Sequence, residues 1–172
     1  GKEIVTLSEY RVRHAQYKMD ASLQKMHARC PWFVTWDDHE VDNNCADEIS
    51  EQKNVKPVDF LIRRAAAYQA YYENMPLRRT SLPAGPDLQL YRRGAFGQLA
   101  EFTVLDGRQY RSDQPNNDVR SPLNEAALNP ETTMLGAKQR NWLKQTLIES
   151  RGTWNIVAQQ VMMGMVGMPS GD

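Results

Sequence analysis

Residues 31–44 read Pro31-Trp32-Phe33-Val34-Thr35-Trp36-Asp37-Asp38-His39-Glu40-Val41-Asp42-Asn43-Asn44. The first half is dense in aromatic and β-branched side chains and apolar at both parities. That pattern predicts a short strand buried on both faces. The second half is polar except for Val41. In α/β sheets, ligands bind just beyond the carboxyl ends of strands, so a site is expected from Asp37 onward. Three carboxylates, Asp37, Asp38 and Glu40, fall within four residues, with His39 among them. Carboxylate and carboxamide oxygens suit hard cations and imidazole suits transition metals, so a bound cation is one way to balance the charge. A solvated turn capped by Asp and Asn is the other. An EF-hand is excluded, because the position that should be Gly is Asp42 when counted from Asp37, and Asp47 when counted from Asp42.

Working outward, Thr6-Leu7-Ser8-Glu9 has capping-box spacing and predicts a helix over residues 7–18. Asp20 caps a second helix that runs to about Arg29, and Cys30-Pro31 ends it. Residues 45–56 are polar and read as loop. A long helix rich in Ala and Tyr covers 58–75 and stops at Pro76. A turn-rich connector over 78–87 leads to a hairpin, with strands over 88–93 and 98–105 about Gly94–Gly97. Residues 106–130 form a long polar segment with three prolines, the kind of loop that is usually functional or mobile. A helix over 135–150 carries Leu135, Trp142, Leu143 and Leu147 on one stripe. Residues 153–161 read as a final buried strand, and 162–172, rich in Met and Gly, as loop. The alternation of strands and helices argues for an α/β layered fold in a single domain.

Composition bounds the function. The 172 residues carry 21 Lys+Arg and 21 Asp+Glu, so the formal net charge is zero. No global positive field gathers phosphates, and nucleic acid is not expected as a specific partner. The apolar fraction of 41% is slightly low for a self-contained domain, for which about 45–50% is usual. No apolar run approaches the roughly 18 residues of a membrane span. Cys30 and Cys45 are too few for a disulfide framework; a single bridge and two free thiols both remain open. His14 and His27 are expected at the boundary of amphipathic helices. Tyr68, Tyr71 and Tyr72 are expected in core and rim, and Met162, Met163, Met165 and Met168 in packing or a flexible tail.

The stretch 31–44 resembles the signature of the PhoD-like alkaline phosphatases, within the calcineurin-like metallophosphoesterases. Four further stretches fit in the same order. They are Tyr10-Arg11-Val12-Arg13 with Gln16-Tyr17, Arg63 to Glu73 with Met75-Pro76-Leu77-Arg78, Val104-Leu105-Asp106-Gly107-Arg108-Gln109-Tyr110-Arg111, and Leu135-Gly136 with Gln139, Trp142 and Leu143. The resemblance implies part of a layered sandwich of mixed sheets flanked by helices. Residues 1–172 would be the central part of a larger metallophosphatase domain, with the rest of that domain as partner.

By the same resemblance, Asp38 takes a metal-ligand position and His39 that of the histidine that hydrogen-bonds phosphate and assists the leaving group. Glu40 would orient His39. Asp37 and Asn44 are extra oxygen ligands, with calcium and iron as the cofactors. Arg108 and Arg111 either bind phosphate or, for Arg108, pair with a local carboxylate such as Asp106. Gly107 stands where the family usually has Thr. The implied chemistry is hydrolysis of phosphate mono- or diesters by a metal-activated hydroxide, in an extracytoplasmic setting. The first metal-ligating aspartates and a Gly-Asp-x-His motif have no counterpart here, and Ser170-Gly171-Asp172 comes too early for that motif. The chain alone is therefore expected to show little activity. The alternative is a non-catalytic fragment, or a module that keeps the fold and binds a cation or phosphate.

Overall fold

The computed structural model describes residues 2–119 and 121–162. The loop reading of 163–172, with Met163, Met165, Met168 and Ser170-Gly171-Asp172, lies outside them.

Helix α1 (Leu7–Lys18) begins on the capping box read from the sequence: Thr6 Oγ1 accepts from Glu9 N, and Glu9 returns a carboxylate to the Thr6 amide. Helix α2 (Ala21–Arg29) starts on Asp20, which accepts from Leu23 N at 2.7 Å. Helix α3 (Pro57–Asn74) has Pro57 in its first turn, where the missing N–H costs nothing. It packs against α1. Strands β1 (Arg92–Phe96) and β2 (Ala100–Val104) form the antiparallel hairpin, with Gly94 opposite Phe102. Helix α4 (Gly136–Glu149) then leads to β3 (Trp154–Ala158), which lies parallel to β2. The sheet order is β1-β2-β3. A helical crossover between β2 and β3 is the connection that parallel neighbours require.

The core lies between α1, α3 and the segment that precedes the acidic turn. Tyr10, Trp36, Phe60, Tyr68, Tyr71, Leu88 and Leu90 are all buried there. Trp36 stacks on Tyr68 at 4.2 Å between ring centroids and meets Tyr71 edge-on at 5.3 Å. The expected place of Tyr68 and Tyr71 in the core is thus correct. His14 is half-buried edge-on against Tyr71, and His27 stacks on Trp32. Cys30 and Cys45 are both free thiols, 30 exposed and 45 buried. Burial pushes the Cys45 thiol up to about 12.

Three expectations fail. Residues 32–36 form no strand and join no ladder among the described residues. Other bonds hold the segment instead: Arg92 donates to Val34 O at 2.8 Å, and the segment's own Thr35 Oγ1 donates to the Leu105 carbonyl at 2.8 Å. Only Trp36 is deeply buried. Phe33 is 47% exposed, lying on Phe102 and against Gly94, where a Cβ would come within 2.6 Å of the Phe33 ring. Second, β3 is not buried; Trp154 is 65% exposed. Third, the inward face of α4 is set by Gln139 and Thr146, while Leu147 points outward. Counting apolar residues alone cannot find a face anchored by a buried carboxamide.

Candidate active site

The acidic turn is built from the backbone upward. Val41 N and Asp42 N both donate to Asp38 O, at 2.8 and 2.9 Å, and Cys45 N donates to Asp42 O. Asn44 takes the left-handed conformation at φ 51°, which Asn tolerates better than most residues. Its N–H then reaches Asp38 Oδ2 at 2.6 Å. The turn is pinned to the helices through Asp42, whose carboxylate pairs with Arg63 Nη1 at 2.9 Å and accepts from Ser50 Oγ. Arg63 Nε donates to Tyr10 Oη at 2.9 Å, and Tyr10 donates on to Val41 O. Asp42 and Arg63 are both buried, so each needs the other.

Asp106 anchors the opposite wall. It is fully buried. Its carboxylate accepts from Trp36 Nε1 at 3.1 Å, from the amides of Arg108 and Gln109, and from Gln109 Nε2. Burial raises this carboxyl above its ordinary range, against the pull of those donors. Gln139 grips the Asp106 backbone on both sides, accepting from N and donating to O. The turn at 106–108 is therefore rigid, and it aims Arg108 at the acidic turn.

Arg108 is where the two walls meet. Its Nε donates to Asp37 Oδ1 at 2.5 Å, and Nη2 lies 3.6 Å from Asp38 Oδ1. Nη1 donates to Asn44 Oδ1 at 3.4 Å and to Cys45 O at 3.3 Å. The sequence offered Asp106 as its local partner. Asp106 instead takes the Arg108 amide, and the guanidinium goes to Asp37 and Asp38. Burial pushes the Asp38 carboxyl up, but the Asn44 amide and the Arg108 charge more than offset this and leave it below its ordinary value. Arg108 is thus spent on protein carboxylates. Arg111 carries no ion pair among the described residues; it donates to Ser112 O at 3.4 Å. Burial, then the neighbouring Arg108 charge, lowers its pKa.

His39 projects outward, with 78% of its side chain exposed and Nε2 3.9 Å from Asp38 Oδ2. It opens on a cleft of about 520 Å³ shared with Arg13, Tyr17, Asn43 and Arg63. Glu40 does not orient His39 as expected. Its carboxylate accepts the Asp37 N–H at 2.8 Å and closes the turn on itself.

Residues 1–171 match the family model described as PhoD-like phosphatase. The chain belongs to the PhoD-like phosphatase family. It is 57% identical over 159 residues to alkaline phosphatase D of Bacillus subtilis (strain 168), covering 92% of this chain and 27% of that protein. A solved structure of PhoD superposes with a TM-score of 0.90 at 55% identity, over 94% of this chain and 31% of that one. The mixed α/β architecture is therefore that of PhoD. The chain spans about a quarter to a third of the length of these relatives.

Against that PhoD-like pattern, Gly107 has a local reason. A Cβ at this position would lie 2.7 Å from Gln160 Oε1, which accepts the Gly107 N–H. Gln160 also ties Thr35 Oγ1 to Leu105 O, so the bare glycine and the glutamine go together.

The donor set does not by itself fit a metal ion. Among the described residues no group of three or more His, Cys, Asp or Glu is placed to hold one. Asp37, Asp38 and Asn44 lie together around the Arg108 guanidinium. The residues that sequence reasoning passed over are Asp106, Gln109, Gln139 and the pair Asp42–Arg63. Each is a buried polar group, visible only once its partners are known.

Proposed function

We propose that the complete protein carrying this chain hydrolyses phosphate mono- or diesters. What supports the reading is the 57% identity to an alkaline phosphatase D across nearly the whole chain, together with an exposed His39 held at the end of a rigid acidic turn. His39 would hydrogen-bond a phosphoryl oxygen and give a proton to the departing oxygen, and Asp38 at 3.9 Å would steady the protonated imidazole. Arg111 is the guanidinium left to bind phosphate. Arg108 serves as a positioning residue for Asp37 and Asp38.

Residues 1–172 would form the central part of a larger phosphatase domain, with the remaining part supplying the rest of the active site. The calcium and iron implied by the resemblance belong to this proposal for the complete protein alone, with ligands beyond the set described; metal analysis of that protein tests it. An extracytoplasmic location is proposed on the same resemblance, and cell fractionation tests it. No described helix is long and apolar enough to cross a membrane.

The deciding experiment is hydrolysis of p-nitrophenyl phosphate and bis(p-nitrophenyl) phosphate by the complete protein and its His39→Ala variant. Turnover should fall by about 10²–10⁴-fold with folding intact. An unchanged rate refutes the role given to His39. Turnover by residues 1–172 alone at the rate of the complete protein would refute the division of the site between this stretch and the rest.

A further inference from the structure

The segment 113–118 is anchored at one place in the acidic turn. Asn44 Nδ2 donates to Asp118 Oδ2 at 2.9 Å, and Gln114 Nε2 donates to Asn44 Oδ1. Lys53 Nζ donates to Asn117 Oδ1 at 3.0 Å. Asn116 and Asn124 exchange side-chain bonds at the far side. Within this strap Asn116, Asn117 and Asp118 all have φ between 53° and 59°. That is a left-handed conformation that L-residues adopt one at a time and seldom in succession. Such a run persists only where surrounding contacts fix it. Here Asn116 is held by Asn124 and Asn117 by Lys53, while Gln114 and Asp118 both meet Asn44, whose backbone N–H is the one that holds Asp38 Oδ2 at 2.6 Å. Asn44 thus has its side chain gripped by the strap and by Arg108, and its main chain gripped by Asp38.

We infer that Gln114 and Asp118 are positioning residues: they fix the Asn44 side chain, and through its amide they fix Asp38 in the candidate active site. The carboxamide of Asn44 cannot swing without giving up both strap bonds, and its left-handed backbone has few alternative ways to present the N–H to Asp38. The long polar segment 106–130 is therefore part of the site's scaffold at this point. Its effect on turnover rests on the phosphatase reading; its effect on Asn44 does not.

The test uses the complete protein, with hydrogen exchange read at the Asn44 amide and turnover read on p-nitrophenyl phosphate. In a Gln114→Ala/Asp118→Ala variant, exchange at Asn44 should quicken by about three- to tenfold, the loss expected of hydrogen bonds of ordinary strength. Exchange in α3 should stay as in the parent. Adding Asn at 118 in place of Ala (Asp118→Asn) keeps an acceptor for Asn44 Nδ2 and should restore slow exchange. In an active protein kcat should fall while KM changes little, since the effect runs through the placing of Asp38. Unchanged exchange at Asn44 overturns the inference. So does a uniform rise across the chain, which would make the strap general scaffolding. Faster exchange at Asn44 with unchanged kcat overturns its bearing on the reaction. A parent protein with no phosphatase activity sinks the proposed function instead, and leaves the exchange result to decide the positioning.

Discussion

Arg108→Met removes the guanidinium that bridges Asp37 and Asp38 while keeping most of the aliphatic stem in place. Its cost can be worked from the geometry. The Asp37 carboxylate is 40% exposed, so water takes over much of the lost pairing and the cost there is at most about 1 kcal/mol. Asp38 is only 11% exposed. Breaking a buried pair from one side costs about 3–5 kcal/mol, but the 3.6 Å separation and the surviving Asn44 amide bond argue for roughly half of that. The Asn44 and Cys45 oxygens lose long contacts to Nη1, worth about 0.5 kcal/mol together. The sum is about 3 kcal/mol. Urea denaturation of the complete protein at neutral pH should show it as a lower midpoint.

The pH dependence gives a sharper test of the same reasoning. The folded Asp38 carboxyl lies below its ordinary value of 3.8. Such a group contributes stability above that value and loses it as pH falls. The gap between wild type and Arg108→Met should therefore be full at pH 7 and narrow below pH about 4, as the carboxyl takes up a proton in both proteins. A loss under about 1 kcal/mol, or one that stays the same from pH 7 to pH 3, would refute the view that Arg108 acts as the internal counter-cation of this turn.

Asp106→Ala leaves Trp36 Nε1 and the amides of Arg108 and Gln109 without their acceptor, while Gln109 Nε2 keeps Leu88 O; at about 1–3 kcal/mol for each buried donor left unmet, the denaturation midpoint should collapse. Tyr71→Phe should be neutral or stabilising by about 1 kcal/mol, because the buried Tyr71 hydroxyl has no hydrogen-bond partner among the described residues; a clear loss of stability would reveal a partner elsewhere in the protein. Glu73 is held at about 2 by Arg11, whose Nη2 lies 2.6 Å away across α1 and α3. Its contribution is present above the ordinary value of 4.5 and fades as pH drops from there toward 2, so Glu73→Gln should lower the thermal midpoint slightly at pH 7, where the exposed pair is worth little, and match the parent near pH 2, flattening the profile in that window. Gly107→Thr should destabilise the protein as it stands, and a smaller residue at 160 (Gln160→Ser) should recover part of the loss, as double-mutant thermal melts would show.

Sequence patterning reaches as far as local interactions reach. The capping box at Thr6, the cap at Asp20 and the long helix ending before Pro76 are all written within a few residues of themselves, and the structure has each of them; the hairpin is there too, but Gly94 lies inside β1 opposite Phe102 and the turn falls at 97–99 instead of 94–97. The segment 32–36 is different. Its apolar, β-branched composition is real, and Trp36 does enter the core. Whether it pairs as a strand depends on a neighbour that local sequence does not name, and here Arg92 takes the Val34 carbonyl instead, while Thr35 donates its hydroxyl to Leu105 O. The same limit explains the site. The turn 37–44 announces an excess of negative charge, and a guanidinium meets part of it. Distance in sequence hid which one. Arg108 lies 71 positions from Asp37, and it can reach that carboxylate only because Asp106, buried and saturated by donors, aims it there. A buried aspartate and two buried glutamines leave no periodic trace, since periodicity counts apolar residues and these sit in the core as polar ones. The metal reading and the arginine reading start from the same electrostatic demand. What separates them is desolvation. A guanidinium already in contact with Asp37 and Asp38 meets that demand without ligands from elsewhere, so a metal ion at these oxygens has to displace Arg108 from them or share them with it.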